Sequence, residues 1–260
     1  MSLLKGKKGL IMGVANERSI AWGISKKLAE NGAELAFTYL GEALKKRVIP
    51  LAKSLNSDFT LSCNVENKEE IVKLFEDIKS RWSKIDFVVH AIAYSDKSEL
   101  SGEYLNTTRD NFLKSMLISC FSFTEVAKEA SKIMNSGGSM LTLTYESTKV
   151  IPNYNVMGVC KSALETSVKY LARDLGEKNI RVNAISAGPI KTLAAGGIPG
   201  FDRILNHVER NSPLRRNTTQ DDVAGAAVWL ASPLSGAVTG QILHVDCGYS
   251  ITMVPESIND

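Results

Sequence analysis

The sequence is poor in the residues that would build a metal centre or a disulfide framework. Its 260 residues include four cysteines and three histidines. Cys63, Cys120, Cys160 and Cys247 form no C-x-x-C pair and lie in apolar or helical contexts. Buried free thiols are therefore expected. His90, His207 and His244 are isolated in sequence, which argues against a metal site. No apolar run reaches the length of a membrane span, and the short one after the first lysines is too brief for a signal-peptide core. A strong charge of either sign is missing too. The formal net charge is +3, and no Lys/Arg cluster is interleaved with aromatics, so nucleic-acid binding has no footing. The basic run "LKKRV" at 44–48 reads as the solvated face of a helix. These absences lead to an expectation of a cytoplasmic protein with no nucleic-acid partner and no membrane insertion.

What is present is a regular alternation of short and long apolar patterns. Strands are expected at 9–14, 34–39, 59–65, 86–92, 139–145, 181–187 and 242–246. Helices are expected near 19–31, 42–55, 67–82, 108–135, 154–176 and 219–231. Asn67 and Thr218 or Thr219, each followed by acids, look like helix starts. Nearly continuous apolar strands separated by helices imply a parallel sheet covered on both faces. Right-handed crossovers then give an α/β, doubly wound, Rossmann-type sheet of about seven strands. With no linker or internal repeat, the whole of 1–260 reads as one dinucleotide-binding domain. The segment at about 192–217 breaks the rhythm with paired glycines, Pro199 and an amphipathic turn or two. It reads as a flap over a site.

In such a sheet, ligands sit beyond the carboxyl ends of the strands. After the first strand comes "GVANERSIAWG", where Gly13 supplies a tight turn and Ser19 and Ile20 open a helix. Free N–H groups at that helix start would face a phosphate, and Ser19 would either cap the helix or donate to the anion. The second strand ends at Tyr39 and Leu40, neither an acid nor a cation, which favours NADH over NADPH. Asn64 could meet an adenine edge with Val65 packing on the ring, and Ala91 and Ala93 leave room near a nicotinamide ribose.

The stretch "YESTKVIPNYNVMGVCK" at 145–161 offers Tyr145, Tyr154 and Lys161. On a helix, seven residues advance about 700°, so Tyr154 and Lys161 would share one face roughly 10 Å apart along the axis. That spacing would let Lys161 hold a cofactor ribose while Tyr154 acts on a substrate atom farther out.

Taken together, G-x5-S-x-A at Gly13, Ser19 and Ala21 and Y-x-x-M-x-x-x-K at Tyr154, Met157 and Lys161 resemble the divergent short-chain dehydrogenases. Within them the chain is most similar to bacterial NADH-dependent enoyl-acyl-carrier-protein reductases. "GAELAFTY", "IPNYNVMG", "RVNAISAGPIKTLAA" and "HVDCGYSI" carry the likeness along nearly the whole chain. The resemblance implies NADH contacts from Gly13, Ser19, Ile20, Asn64, Val65, Ile92, Lys161 and the run Ile190, Lys191, Thr192, Leu193 and Ala194, with Leu40 beside the adenosine ribose. It implies that Ser95 borders the substrate and that Tyr145 and Tyr154 form an active-site pair. It further implies reduction of the C2=C3 bond of an enoyl chain on acyl carrier protein, and a homotetramer. Three positions depart from the commonest pattern: Asn64 replaces an Asp, Ala91 a Ser, and Ser95 an Ala. A 3-oxoacyl or other carbonyl reductase of the same fold is the rival chemistry, although its usual Tyr–Lys spacing of four is absent. A non-catalytic dinucleotide-binding regulator is the rival of another class.

Overall fold

A computed structural model describes residues 2–252. Seven parallel strands form one sheet in the order β3-β2-β1-β4-β5-β6-β7. They are β1 (Lys8–Met12), β2 (Glu34–Tyr39), β3 (Thr60–Ser62), β4 (Ile85–His90), β5 (Met134–Thr144), β6 (Arg181–Ala187) and β7 (Ile242–Val245). The order reverses between β1 and β4, which opens a crevice at their carboxyl ends.

Successive strand residues point to opposite faces, so both faces must be covered. Leu10 and Met12 of β1 enter one core with Val88 and Met140, while Ile11 enters the other with Val89 and Leu141. The first core is closed by α3 (Lys68–Trp82), α4 (Arg109–Met116), α5 (Ser122–Ala130) and α6 (Val156–Gly176). The second is closed by α1 (Ile20–Glu30), α2 (Gly41–Ser54) and α8 (Gln220–Ala231). α7 (Phe201–Asn211) lies between β6 and α8 in the chain. All four cysteines are free and buried, as expected. Among the described residues no helix is long and apolar enough to cross a membrane.

Several expected boundaries moved. The helix expected at 108–135 is α4 and α5 joined by a π-turn at Leu117–Phe121, and it stops at Ala130. Residues 131–133 form a turn, pairing of Met134 with Ile85 claims the last two for β5, and an irregularity before the Phe87–Ser139 pair absorbs Gly137 and Gly138. The helix expected from 154 starts at Val156, because Asn155 has φ 42° and ψ −122°. The amphipathic turn or two at 192–217 is a full 11-residue helix, α7. The third strand shrinks from 59–65 to three residues.

Candidate active site

The crevice is built first by Gly13. Its φ is +102°, and a Cβ there would lie 2.0 Å from the carbonyl oxygen of Ala91. Only glycine lets the ends of β1 and β4 approach so closely. The loop that follows is organised by Ser19, though not by capping. Its Oγ accepts the N–H groups of Ala15 and Asn16 at 2.9 and 3.1 Å. The side chain therefore folds the turn backwards and leaves the start of α1 without a side-chain cap. No acid occupies the first turn of α1, so its positive end stays available to an anion.

The adenosine side is less uniform than the sequence suggests. Leu40 stands at the N-cap position of α2 without a side-chain cap and is half-exposed beside the end of β2. Asn64 uses its side-chain oxygen on the N–H of Glu66 at 3.0 Å, and its own N–H donates to Glu70 at 2.8 Å. An Asx-type turn thus uses one lone pair of that oxygen, and the side-chain NH2 takes no part in it. Val65 is 5% exposed and belongs to the core, so it offers a ligand little surface.

At the centre lies a cavity of about 640 Å³. Ile20 of α1 borders it, as do Ile92 and Ser95 beyond β4. Tyr145 after β5 and Tyr154 and Lys161 at α6 also enter it. From the segment after β6 come Ile190, Thr192 and Ala194. Lys191 and Leu193 of that same run are not on its wall. Lys191 instead pairs with Asp202 of α7 at 3.0 Å, and Leu193 is half-exposed.

Tyr154 and Lys161 thus converge, but not by the route of a shared helical face. Tyr154 precedes α6, and the left-handed residue Asn155 turns the chain before the helix begins. The carbonyl of Tyr154 accepts the N–H of Met157 at 2.9 Å, which holds the tyrosine on the helix mouth. Lys161 is 5% exposed and donates from Nζ to the carbonyl of Leu143 at 2.8 Å. Burial lowers its pKa to about 8. The rings of Tyr145 and Tyr154 meet edge to face, with centroids 5.3 Å apart. Burial pushes the Tyr154 hydroxyl well above the ordinary phenol range. Tyr145 rises to about 12, through burial first and then the charges of Tyr249 and Glu146.

Sequence reasoning missed part of the surrounding shell. Glu165 accepts from Thr144 at 2.7 Å and from Ser147 at 2.6 Å, and so ties α6 to the loop before it. Its place four residues after Lys161, on the same helix face, was the available signal. Leu100, Ile198 and Phe201 supply an apolar wall that no motif announced. A second cavity of about 820 Å³ adjoins Tyr145 and is bordered by Lys149, Arg203, His207 and Tyr249.

Comparisons with known proteins give the family and the fold. The family model described as Enoyl-(Acyl carrier protein) reductase matches residues 13–250. A Rhizobium meliloti protein named enoyl-[acyl-carrier-protein] reductase [NADH] 2 is 61% identical over 254 residues, covering 97% of this chain and 95% of that one. A crystal structure of FabI from Candidatus Liberibacter asiaticus superposes with a TM-score of 0.96 at 55% identity, covering 98% of this chain and 99% of that one. A reductase from Anaplasma phagocytophilum, solved in complex with NAD, gives 0.94 at 53% identity, covering 98% and 96%. A chain with this sheet order, this crevice and these matches belongs to the enoyl-(acyl carrier protein) reductase family.

Proposed function

We propose that this protein reduces the C2=C3 double bond of trans-2-enoyl thioesters on acyl carrier protein with NADH. This is the last reductive step of each fatty acid elongation cycle. The observation that carries the reading is the meeting of Tyr154 and Lys161 in one cavity beside a glycine turn and an uncapped helix start.

The residues present fit a dinucleotide. The cradle at Gly13 is one that a Cβ would fill, and the positive end of α1 faces the same edge. Ser19, Ile20, Leu40, Asn64, Ile92, Ile190, Thr192 and Ala194 border that path in our reading, with Val65 backing it from the core. Leu40 offers no cation for a 2′-phosphate, which suits NADH. When bound, NADH supplies the hydride for C3.

The protein's own groups manage charge. Tyr154 donates a hydrogen bond to the thioester oxygen as negative charge gathers there, a stabilisation aimed at the transition state. Burial keeps its proton in place at neutral pH. Lys161 holds the nicotinamide ribose and, as a cation, favours the same negative charge. Tyr145 packs on Tyr154 and limits its rotation. Ser95 borders the acyl thioester, and Leu100, Ile198 and Phe201 exclude water from the chain.

The region 192–217 acts as a covering flap over a single domain. Lys149 and Arg203 at the adjoining cavity give cationic contacts for an acidic carrier protein. Assembly as a homotetramer is supported by exposed Leu113, Phe121 and Tyr170 on the α4–α6 side. The free buried thiols suit a reducing cytoplasm.

The decisive assay follows NADH oxidation with a crotonyl thioester and, separately, a 3-oxoacyl thioester. Turnover of the enoyl substrate alone is expected. Preference for the 3-oxoacyl substrate would overturn the reading.

A further inference from the structure

α4, the π-turn and α5 form one continuous rod beside the loop that follows β4. The side of the rod turned to that loop carries Asn111, Ser115, Ser119 and Ser122, all buried. Buried polar groups must find partners; Ser115 donates to Asn111 at 3.1 Å, and the other three reach the loop or the end of β4. Ser119 Oγ accepts the N–H of Tyr94 and donates to its carbonyl, both at 2.9 Å. That is a two-point grip on a single residue of the cavity wall. Asn111 accepts from the N–H of Asp96 at 2.9 Å and donates to Ser95 at 3.2 Å, one turn farther along the loop.

The register of Ser119 depends on the widened turn. Ser122 Oγ donates to the carbonyl of Ile118 within that turn at 2.7 Å. Its proton is committed there, so the 2.9 Å contact with His90 is donated by the ring Nε2. His90 is wholly buried at the end of β4, and burial holds it neutral, with a pKa of about 3. Thr142 also commits its proton, to the His90 carbonyl at 3.0 Å, so the single proton of the neutral ring serves the shorter contact to Ser122 and leaves Nδ1 at 3.3 Å from Thr142 Oγ1. The end of β4, the π-turn and the loop are thereby one hydrogen-bonded unit. π-turns often mark functional sites.

We propose that Ser119 is a positioning residue for the substrate-side wall, gripping the Tyr94 backbone and kept in register by the His90–Ser122 bond. The proposal rests on the enoyl-reductase reading above. The loop before Tyr94 is pinned independently, by Ala91 N–H to the Met12 carbonyl at 3.0 Å. Loss of Ser119 therefore loosens the cavity wall at Tyr94, between a pinned Ala91 and the Ser95–Asp96 pair that Asn111 holds, and leaves Ile92 in place.

The test compares Ser119→Ala, His90→Gln and His90→Leu in the full-length enzyme. Ser119→Ala is expected to raise the KM for crotonyl thioester roughly tenfold, the effect of losing two ordinary hydrogen bonds. Its KM for NADH should stay within about twofold, and Tyr94 amide exchange should accelerate. His90→Gln, which keeps a side-chain N–H, should retain the thioester KM, whereas His90→Leu should raise it. An unchanged thioester KM in Ser119→Ala, an equal rise in both KM values, or glutamine as harmful as leucine would overturn the proposal. Should the wild type prove inert toward enoyl thioesters, the functional reading falls instead. Tyr94 exchange then decides the grip by itself, and unchanged protection in Ser119→Ala refutes it.

Discussion

Lys161 of α6 donates to the carbonyl of Leu143 in β5 at 2.8 Å, two residues before Tyr145. One hydrogen bond therefore sets the ammonium group relative to the strand end that carries one tyrosine and the helix mouth that carries the other.

A pH dependence follows from that burial. With a pKa of about 8 against an ordinary 10.5, Lys161 loses its charge as pH rises through 8. kcat/KM should fall with an alkaline limb near that value, since both tyrosines keep their protons at that pH. Stability shifts the other way. The folded state holds fewer protons than the unfolded chain between 8 and 10.5, so the penalty for burying the cation is relieved across that window. Lys161→Ala should weaken NADH binding roughly ten- to a hundredfold, as loss of a charged hydrogen bond does. Titration of NADH fluorescence checks it, and equal affinity would reject the ribose assignment.

Tyr154→Phe should lower kcat about a hundredfold or more with little change in NADH affinity, the usual effect of removing one oxyanion donor. Tyr145→Phe should cost far less, because the edge-to-face packing survives without the hydroxyl. Steady-state kinetics on crotonyl thioester separate the two. Comparable losses would mean that both hydroxyls reach the substrate.

Gly13→Ala should damage both stability and cofactor binding. The new Cβ would overlap the Ala91 carbonyl, and φ of +102° is itself strained for alanine. Strain and overpacking together amount to roughly 2–5 kcal/mol. Thermal melting with and without NADH measures it; a melting temperature within a degree of wild type would refute the close approach.

At the start of α8, Thr219 and Asp222 form a reciprocal capping box, and Arg216 grips Asp222 with two nitrogens at 2.6 and 2.9 Å. Thr219→Ala should destabilise by about 1 kcal/mol. The Arg216 hydrogen bond, together with those from Thr219, holds the Asp222 carboxyl far below the usual range. Its contribution is fully present above the ordinary value of 3.8 and lost as pH falls through the lowered one. The stability gap between wild type and Asp222→Asn should stay constant down to about pH 4 and close below it. Urea melts across pH 2–7 would show this.

Most of the sheet was legible because apolar periodicity reports burial directly. β2 and β6 were placed to the residue, and α8 to within one. Errors cluster where a hydrogen bond, distant or local, claims a group that apolar periodicity does not report. Residues 134 and 135 look helical until Met134 pairs with Ile85. Ser19 looks like a cap until its hydroxyl turns back to Ala15 and Asn16.

By itself, the sequence determined the alternation of strands and helices, the glycine turn and the presence of Tyr154 and Lys161 within seven residues. These are local properties, set by side-chain period and by which residues tolerate which φ. How the two side chains converge was decided only in three dimensions. A left-handed Asn155 detaches Tyr154 from the helix, while the carbonyl of a distant strand captures Lys161. The π-turn that sets Ser119 beneath Tyr94 is likewise invisible locally, because its hydrogen bonds reach residues 25 and 32 positions away. Contacts of that range leave no periodicity in a sequence. They arise only when the packed sheet brings buried polar groups together and requires each to be satisfied.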